Sequence, residues 1–252
     1  MAGEVQLKFR MNRPAYPALS TPQLAYLLLE ANSATGEEEV MAKPVNIGLV
    51  LDRSGSMAGE KIENMKSAAR YILEQLAGSD ILSIVIFDDL AEVVVPAGSV
   101  SQKDILSRKI DAIQERGGTH LSQGMKYGLQ ELQKNKSPAY VSRMVILTDG
   151  QTWEDEELCR VIADQCRGAG LPIDLLGLGV GDENNWDPRL LEDLAQRSGG
   201  EWAMIDTPAK VCQVFAKTLR GMQGSIAANA SLTLRFVEGV TPKVVWRVKP
   251  MI

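Results

Sequence analysis

Val45-Asn46-Ile47-Gly48-Leu49-Val50-Leu51, followed at once by Asp52-Arg53-Ser54-Gly55-Ser56, is the stretch that decides the fold. A short, mostly aliphatic run that ends in turn formers has the length and bounds of a strand. The next regular segment, Lys61 to Leu76, has helical period instead. Ile62, Met65, Ala69, Ile72, Leu73 and Leu76 recur at spacings of three and four, giving one apolar stripe to lay against a sheet. Apolar runs at Ile81 to Phe87, Glu92 to Val95, Arg143 to Leu147, Ile173 to Leu178 and Glu201 to Ile205 then alternate with helical segments. These segments are Lys103 to Glu115, Leu121 to Lys134, Asp155 to Ala169, Pro188 to Arg197 and Ala209 to Met222. The order predicts an α/β domain built on a doubly wound, mostly parallel six-stranded sheet covered on both faces. Glu92 to Val95 is read as its antiparallel edge strand, because the link Asp88 to Ala91 is too short for a crossover and permits only a hairpin.

The rhythm changes at the flanks. Glu4 to Arg10, Gln23 to Ala31, Ala230 to Val237 and Val244 to Val248 alternate like surface strands. Segments 1–42 and 223–252 are each too small to fold alone, so they are expected to pair into one small β unit beside a domain spanning 43–222. The chain stops at Lys249-Pro250-Met251-Ile252 without a clear strand end, which suggests a piece of a longer protein.

Composition removes several function classes. Of 252 residues, 27 are basic and 32 acidic, a net charge of −5, and no Lys/Arg stripe forms the counterion-displacing surface that nucleic acid requires. One histidine and three cysteines, with no CxxC pair, argue against zinc held by Cys and His. Cys159, Cys166 and Cys212 read as small buried hydrophobes. The N-terminus lacks a basic-then-apolar leader, and no apolar segment reaches about 18 residues, so no membrane segment is read and a cytoplasmic location is expected.

In a parallel α/β sheet, ligands bind at the carboxyl ends of the strands where the strand order reverses. The residues there are Asp52-Arg53-Ser54-Gly55-Ser56 after the first core strand, Thr148-Asp149-Gly150 after the fourth, and Gly117-Gly118-Thr119 before a central helix. Two carboxylates and three hydroxyls suit a hard cation of the Mg²⁺ type, with Mn²⁺ or Ca²⁺ as alternatives. Gly55 and Gly117-Gly118 supply the tight backbone that turns these hydroxyls inward.

This set resembles the von Willebrand factor type A domain, whose metal-ion-dependent adhesion site combines an Asp-x-Ser-x-Ser loop with a distant Thr and a distant Asp. Asp52, Ser54, Ser56, Thr119 and Asp149 match all five positions in order, and the resemblance covers about residues 43 to 222. The flanking β segments are similar by pattern to those of bacterial type A proteins and of the inter-alpha-inhibitor heavy chains. The resemblance implies a metal-dependent module that binds a protein partner through a Glu or Asp of that partner, with no covalent chemistry and no catalytic residues. It also implies a shift of the last helix on binding. Arg53, Met57, Asp88, His120, Gln151 and Trp153 follow the motif positions and are candidates for the partner-facing rim.

Two alternatives stand beside this reading. Mg²⁺ sites at the same sheet edge also serve phosphoryl transfer, but a dehalogenase-type phosphatase needs Asp-x-Asp, and here the second position is Ser54. A P-loop fails because Gly55 to Ile62 lacks the adjacent Gly-Lys and the Ser or Thr that follows it. A serine hydrolase would have to use His120, the one imidazole, without a nucleophile elbow. The other alternative is a structural subunit of a larger complex, with a vestigial metal site and binding through the β flanks.

Overall fold

The computed structural model describes residues 5–17, 19, 21–33, 43–150, 152, 154–178, 188–205, 208–223 and 232–246. A hairpin of β1 (Val5–Met11) and β2 (Leu27–Ser33) comes first. Then follow β3 (Val45–Asp52), a single 3-10 turn (Gly55–Met57), α1 (Glu60–Gln75), β4 (Ile81–Phe87), β5 (Ala91–Ser99) and α2 (Lys103–Asp111). After these come α3 (Leu121–Lys134), β6 (Val141–Thr148), α4 (Glu156–Gly168), β7 (Ile173–Leu178), α5 (Pro188–Ser198), β8 (Trp202–Ile205) and α6 (Pro208–Gln223).

The main sheet has the order β5-β4-β3-β6-β7-β8. Only the β4–β5 pair is antiparallel. It is the expected edge hairpin, closed where the Asp88 amide donates to the Leu90 carbonyl at 2.8 Å. The sequence continues from β3 to β4 on one side and returns to β6 on the other, so the order reverses between β3 and β6. Leu51 lies opposite Leu147, which places the next residues, Asp52 and Thr148, side by side at the carboxyl edge.

β3, β4 and β7 are buried along their whole lengths, the mark of a sheet covered on both faces. Ile47, Leu49 and Leu51 of β3 share one apolar layer with Ile62, Met65, Ala69 and Ile72 of α1 and Phe215 of α6. Val50 points into the opposite layer with Leu121 and Met125 of α3, Ile162 of α4 and Leu191 of α5. Each buried Leu, Ile or Phe contributes about 1.5–3 kcal/mol relative to an exposed one, so these two layers hold the sheet together. Cys159 and Cys166 sit in the second layer, where burial pushes the Cys166 thiol up to about 12, so both behave as small hydrophobes. The side chain of Cys212 lies outside the described residues.

Helix α3 approaches the sheet on glycines. A Cβ at Gly124 would stand 2.7 Å from Phe87 Cδ1 and 2.9 Å from Val50 Cγ1, and one at Gly128 would stand 2.6 Å from Val50 Cγ2. This close packing fixes the N-terminus of α3, and with it Thr119 and His120, beside the ends of β3 and β4.

Among the described residues of the flanks, the small β unit is a single hairpin. β1 and β2 form an antiparallel ladder from Val5↔Ser33 to Met11↔Leu27, and among the described residues they pair with no other strand. Of the two strands expected near the C-terminus, residues 232–246 form neither; they are exposed and unladdered, with one turn in which the Val240 amide donates to the Val237 carbonyl at 3.1 Å. The reason is physical: alternation specifies which face of a strand would be buried, but a ladder forms only where a partner edge is supplied. No helix among the described residues is long and apolar enough to cross a membrane.

Candidate metal centre

Asp52 ends β3 fully buried. Its Oδ1 accepts the Ser54 amide at 2.8 Å, and its Oδ2 accepts the Thr148 hydroxyl at 2.6 Å. Thr148 Oγ1 in turn accepts the Gly150 amide at 3.0 Å, so the turn that carries Asp149 is tied to Asp52 through one hydroxyl. Ser54 and Ser56 bring their hydroxyls within 3.1 Å of each other. Asp149 is also fully buried, and Lys61 Nζ in the first turn of α1 donates to its Oδ2 at 3.0 Å. Burial pushes the Asp52 carboxyl from 3.8 up to about 7; hydrogen bonds from Ser54 and Thr148 oppose this, and the neighbouring charge of Asp149 adds to it.

Thr119 reaches the same edge through backbone stitching. The Gly55 amide donates to the Gly117 carbonyl at 3.0 Å, and the Arg116 amide donates to the Arg53 carbonyl at 2.7 Å. Gly117 has a φ of +73°, and a Cβ on Gly117 or Gly118 would fall 2.6 or 2.4 Å from the Asp89 carboxylate. Gly117 is favoured by its left-handed backbone, whereas the Asp89 carboxylate, at the end of an exposed side chain, would only have to swing aside for a Cβ at either position. Thr119 itself is buried.

The five motif residues thus lie on three loops that hydrogen bonds join at one sheet edge. Among the described residues no three His, Cys, Asp or Glu side chains gather to hold a metal, so an ion here depends on the hydroxyls as well as the carboxylates. The donor set does fit a hard divalent cation: two buried carboxylates, one of which is costly to ionise where it stands, beside the Ser54, Ser56 and Thr119 hydroxyls.

The rim candidates separate. Met57 is fully buried in the layer with α1, because the 3-10 turn points it inward, so it cannot face a partner. Asp88 is likewise buried, and it acts as a fastener rather than a rim group. Its Oδ2 accepts Arg53 Nε at 2.7 Å and Arg116 Nε at 3.2 Å, its Oδ1 accepts the Leu90 amide, and its carbonyl accepts the His120 amide at 2.8 Å. Burial alone would raise the Asp88 carboxyl, but the Leu90 amide and the guanidinium groups of Arg116 and Arg53 hold it below its ordinary value. Arg53 is therefore largely spent on Asp88. His120 is half-buried at the N-cap of α3. Gln151 and Trp153 lie outside the described residues.

Several contributors were not anticipated. His120 makes no side-chain cap bond for α3; instead Thr152 Oγ1 accepts the Leu121 amide at 3.2 Å and Asp155 Oδ2 accepts the Ser122 amide at 2.8 Å. Thr152 also donates to Asp155, so the loop after Asp149 caps the helix that follows Thr119. Thr148 had a visible signal, a hydroxyl at a strand end beside Asp149. So did Lys61: a cation in the first turn of a helix runs against the macrodipole and needs another reason to be there.

The model of the von Willebrand factor type A domain family matches residues 46–215, and the chain belongs to this family. An uncharacterized protein of Synechocystis sp. is 31% identical over 205 residues, 81% of this chain and 48% of that protein. Human inter-alpha-trypsin inhibitor heavy chain H3 is 30% identical over 167 residues, 62% of this chain and 18% of that protein. The chain thus spans less than half the length of these relatives. Among solved structures, a von Willebrand factor type A protein of Catenulispora acidiphila superposes with a TM-score of 0.68 at 19% identity, covering 86% of this chain and 50% of that one. Proximal thread matrix protein 1 from the mussel byssus, solved with zinc occupying its MIDAS motif, superposes with a TM-score of 0.59 at 18% identity, covering 71% of this chain and 46% of that one. Domains of this family are commonly metal-dependent protein-interaction modules.

Proposed function

We propose that the chain is a divalent-metal-dependent protein-binding module. In this reading Asp52, Ser54, Ser56, Thr119 and Asp149 hold the ion, and an acidic side chain of a partner completes its coordination. The observation that carries the reading is the Asp52–Asp149 pair, two fully buried carboxylates placed beside serine hydroxyls 3.1 Å apart. A bound divalent cation would supply an electrophilic position for an incoming carboxylate oxygen. The chain's own residues do the rest: Thr148 and the Ser54 amide orient Asp52, the Gly55–Gly117 hydrogen bond sets the spacing of the serine and threonine loops, and Thr152 with Asp155 ties Thr119 to the Asp149 loop. With two carboxylates and neutral hydroxyls the loaded site is not over-neutralised, which favours an added anion. Mg²⁺ is the proposed resident ion, and the zinc-occupied motif of the mussel protein supports divalent occupancy of a site of this kind. No residue is assigned to catalysis, and Ser54 stands where a phosphatase of this topology needs its acid.

Titration calorimetry with Mg²⁺ or Mn²⁺ tests the metal half: the wild type should bind one ion, and Asp52→Ala should bind it at least about 100-fold more weakly, equivalent to about 2.8 kcal/mol. Equal binding by both proteins refutes it. Capture of a partner in Mg²⁺ against chelator tests the second half, and retention undiminished by chelator counts against it.

A further inference from the structure

Lys61 is the charged group at the candidate centre that the motif does not account for. It lies in the first turn of α1, where Glu60 and Glu63 complement the helix dipole and a lysine opposes it. Its Nζ nevertheless stands 3.0 Å from Asp149 Oδ2, with the side chain 17% exposed and the carboxylate fully buried. Lys66, on the same helix, pairs instead with Glu63 of its own helix. Arg53, adjacent to Asp52, is engaged by Asp88. The cation reaching into the centre is therefore an ammonium on a flexible, partly exposed stem, which can be withdrawn toward solvent.

We propose that Lys61 is a built-in competitor of the divalent ion, an ammonium that offsets the buried charge of Asp149 when metal is absent and has to yield when metal enters. The proposal rests on the metal-binding reading above and deepens it. Formal charge makes the consequence plain. Asp52, Asp149 and Lys61 sum to −1 before a divalent ion enters and to +1 afterwards; without Lys61 the sums are −2 and 0. Lys61 thus weakens the hold on the ion and leaves the loaded centre positive toward an anionic ligand. A lysine serving only structure would not behave so, since its loss would disturb the loops and lower metal affinity.

The test uses the whole chain with Mn²⁺ alone as probe, followed by calorimetry and by urea unfolding in EDTA. Lys61→Met and Lys61→Gln should each bind Mn²⁺ about tenfold more tightly than wild type, while their metal-free stability falls; Lys61→Arg should stay within about threefold of wild type. Tighter binding by a variant that is less stable without metal cannot come from misfolding. Wild-type or weaker Mn²⁺ affinity in both neutral variants, with Asp52→Ala losing the ion, overturns this proposal alone. Undiminished Mn²⁺ binding by Asp52→Ala overturns the metal-binding reading, and this proposal with it.

Discussion

Replacing Asp52 by Asn should stabilise the metal-free protein at pH 8 while abolishing its metal binding. Burial moves the Asp52 carboxyl from 3.8 to about 7. At about 1.4 kcal/mol per pH unit, holding it ionised in the folded chain costs roughly 4 kcal/mol once the pH exceeds 7. The sign follows from proton binding. The folded chain holds this proton more tightly than the unfolded chain, so wild-type stability falls as pH rises from about 4 to about 7 and is flat above. Asn keeps the shape and never ionises, but it gives up part of the exchange with Thr148, which donates to Asp52 Oδ2 at 2.6 Å. That loss is worth about 1 kcal/mol. The net expectation for Asp52→Asn in EDTA is a gain of about 3 kcal/mol at pH 8 that shrinks as pH falls and becomes a deficit of about 1 kcal/mol toward pH 4. Urea unfolding midpoints at pH 4, 6 and 8 read it directly. Mg²⁺ at about 1,000 times Kd should then reverse the ranking, because only the wild type gains ligand stabilisation, about 4.1 kcal/mol. An Asn variant less stable than wild type at pH 8 in EDTA, or a difference independent of pH, refutes the reasoning.

Three further expectations test what supports the site. Asp88→Asn removes the acceptor of Arg53 and Arg116 and should cost about 2 kcal/mol by chemical denaturation, below the 3–5 kcal/mol of a fully buried pair because Arg116 is mostly exposed; it should also weaken Mn²⁺ binding although it deletes no motif residue. Gly124→Ala should destabilise by about 1–3 kcal/mol, since its Cβ would sit 2.7 Å from the Phe87 ring. We place the limits of the independently folding unit at 43 and 222; a chain cut there should unfold cooperatively and bind Mn²⁺ like the whole chain, and calorimetry on both would show otherwise if the flanks contribute.

The core was legible because burial leaves a pattern in the chain. Continuous apolar runs at Val45, Ile81 and Ile173 announced strands covered on both faces, and the three-and-four spacing from Ile62 to Leu76 announced α1. The short Asp88–Ala91 link announced the antiparallel edge through chain reach alone. The flanks were legible only to the level of face. Phe9, 72% exposed on β1, belongs to an alternation that says one side of a strand wants cover. It does not say which edge will supply the ladder, and for residues 232–246 none does.

The site shows the same division more sharply. Motif positions were readable because strand ends and glycine turns leave them few alternatives. The two misplaced rim residues, Met57 and Asp88, depend on which way a side chain turns within a loop, and that is decided by competition among neighbours: the apolar layer takes Met57, and two guanidinium groups take Asp88. Counting charge along the chain likewise separates Lys61 from Asp149 by 88 residues, whereas the fold sets them 3.0 Å apart. Two carboxylates in one buried place cannot both remain ionised without a cation nearby. An ammonium carried by the first helix is the cation the chain brings with it, and under the proposed function a site half neutralised in advance would trade some grip on metal for readiness to accept an acid.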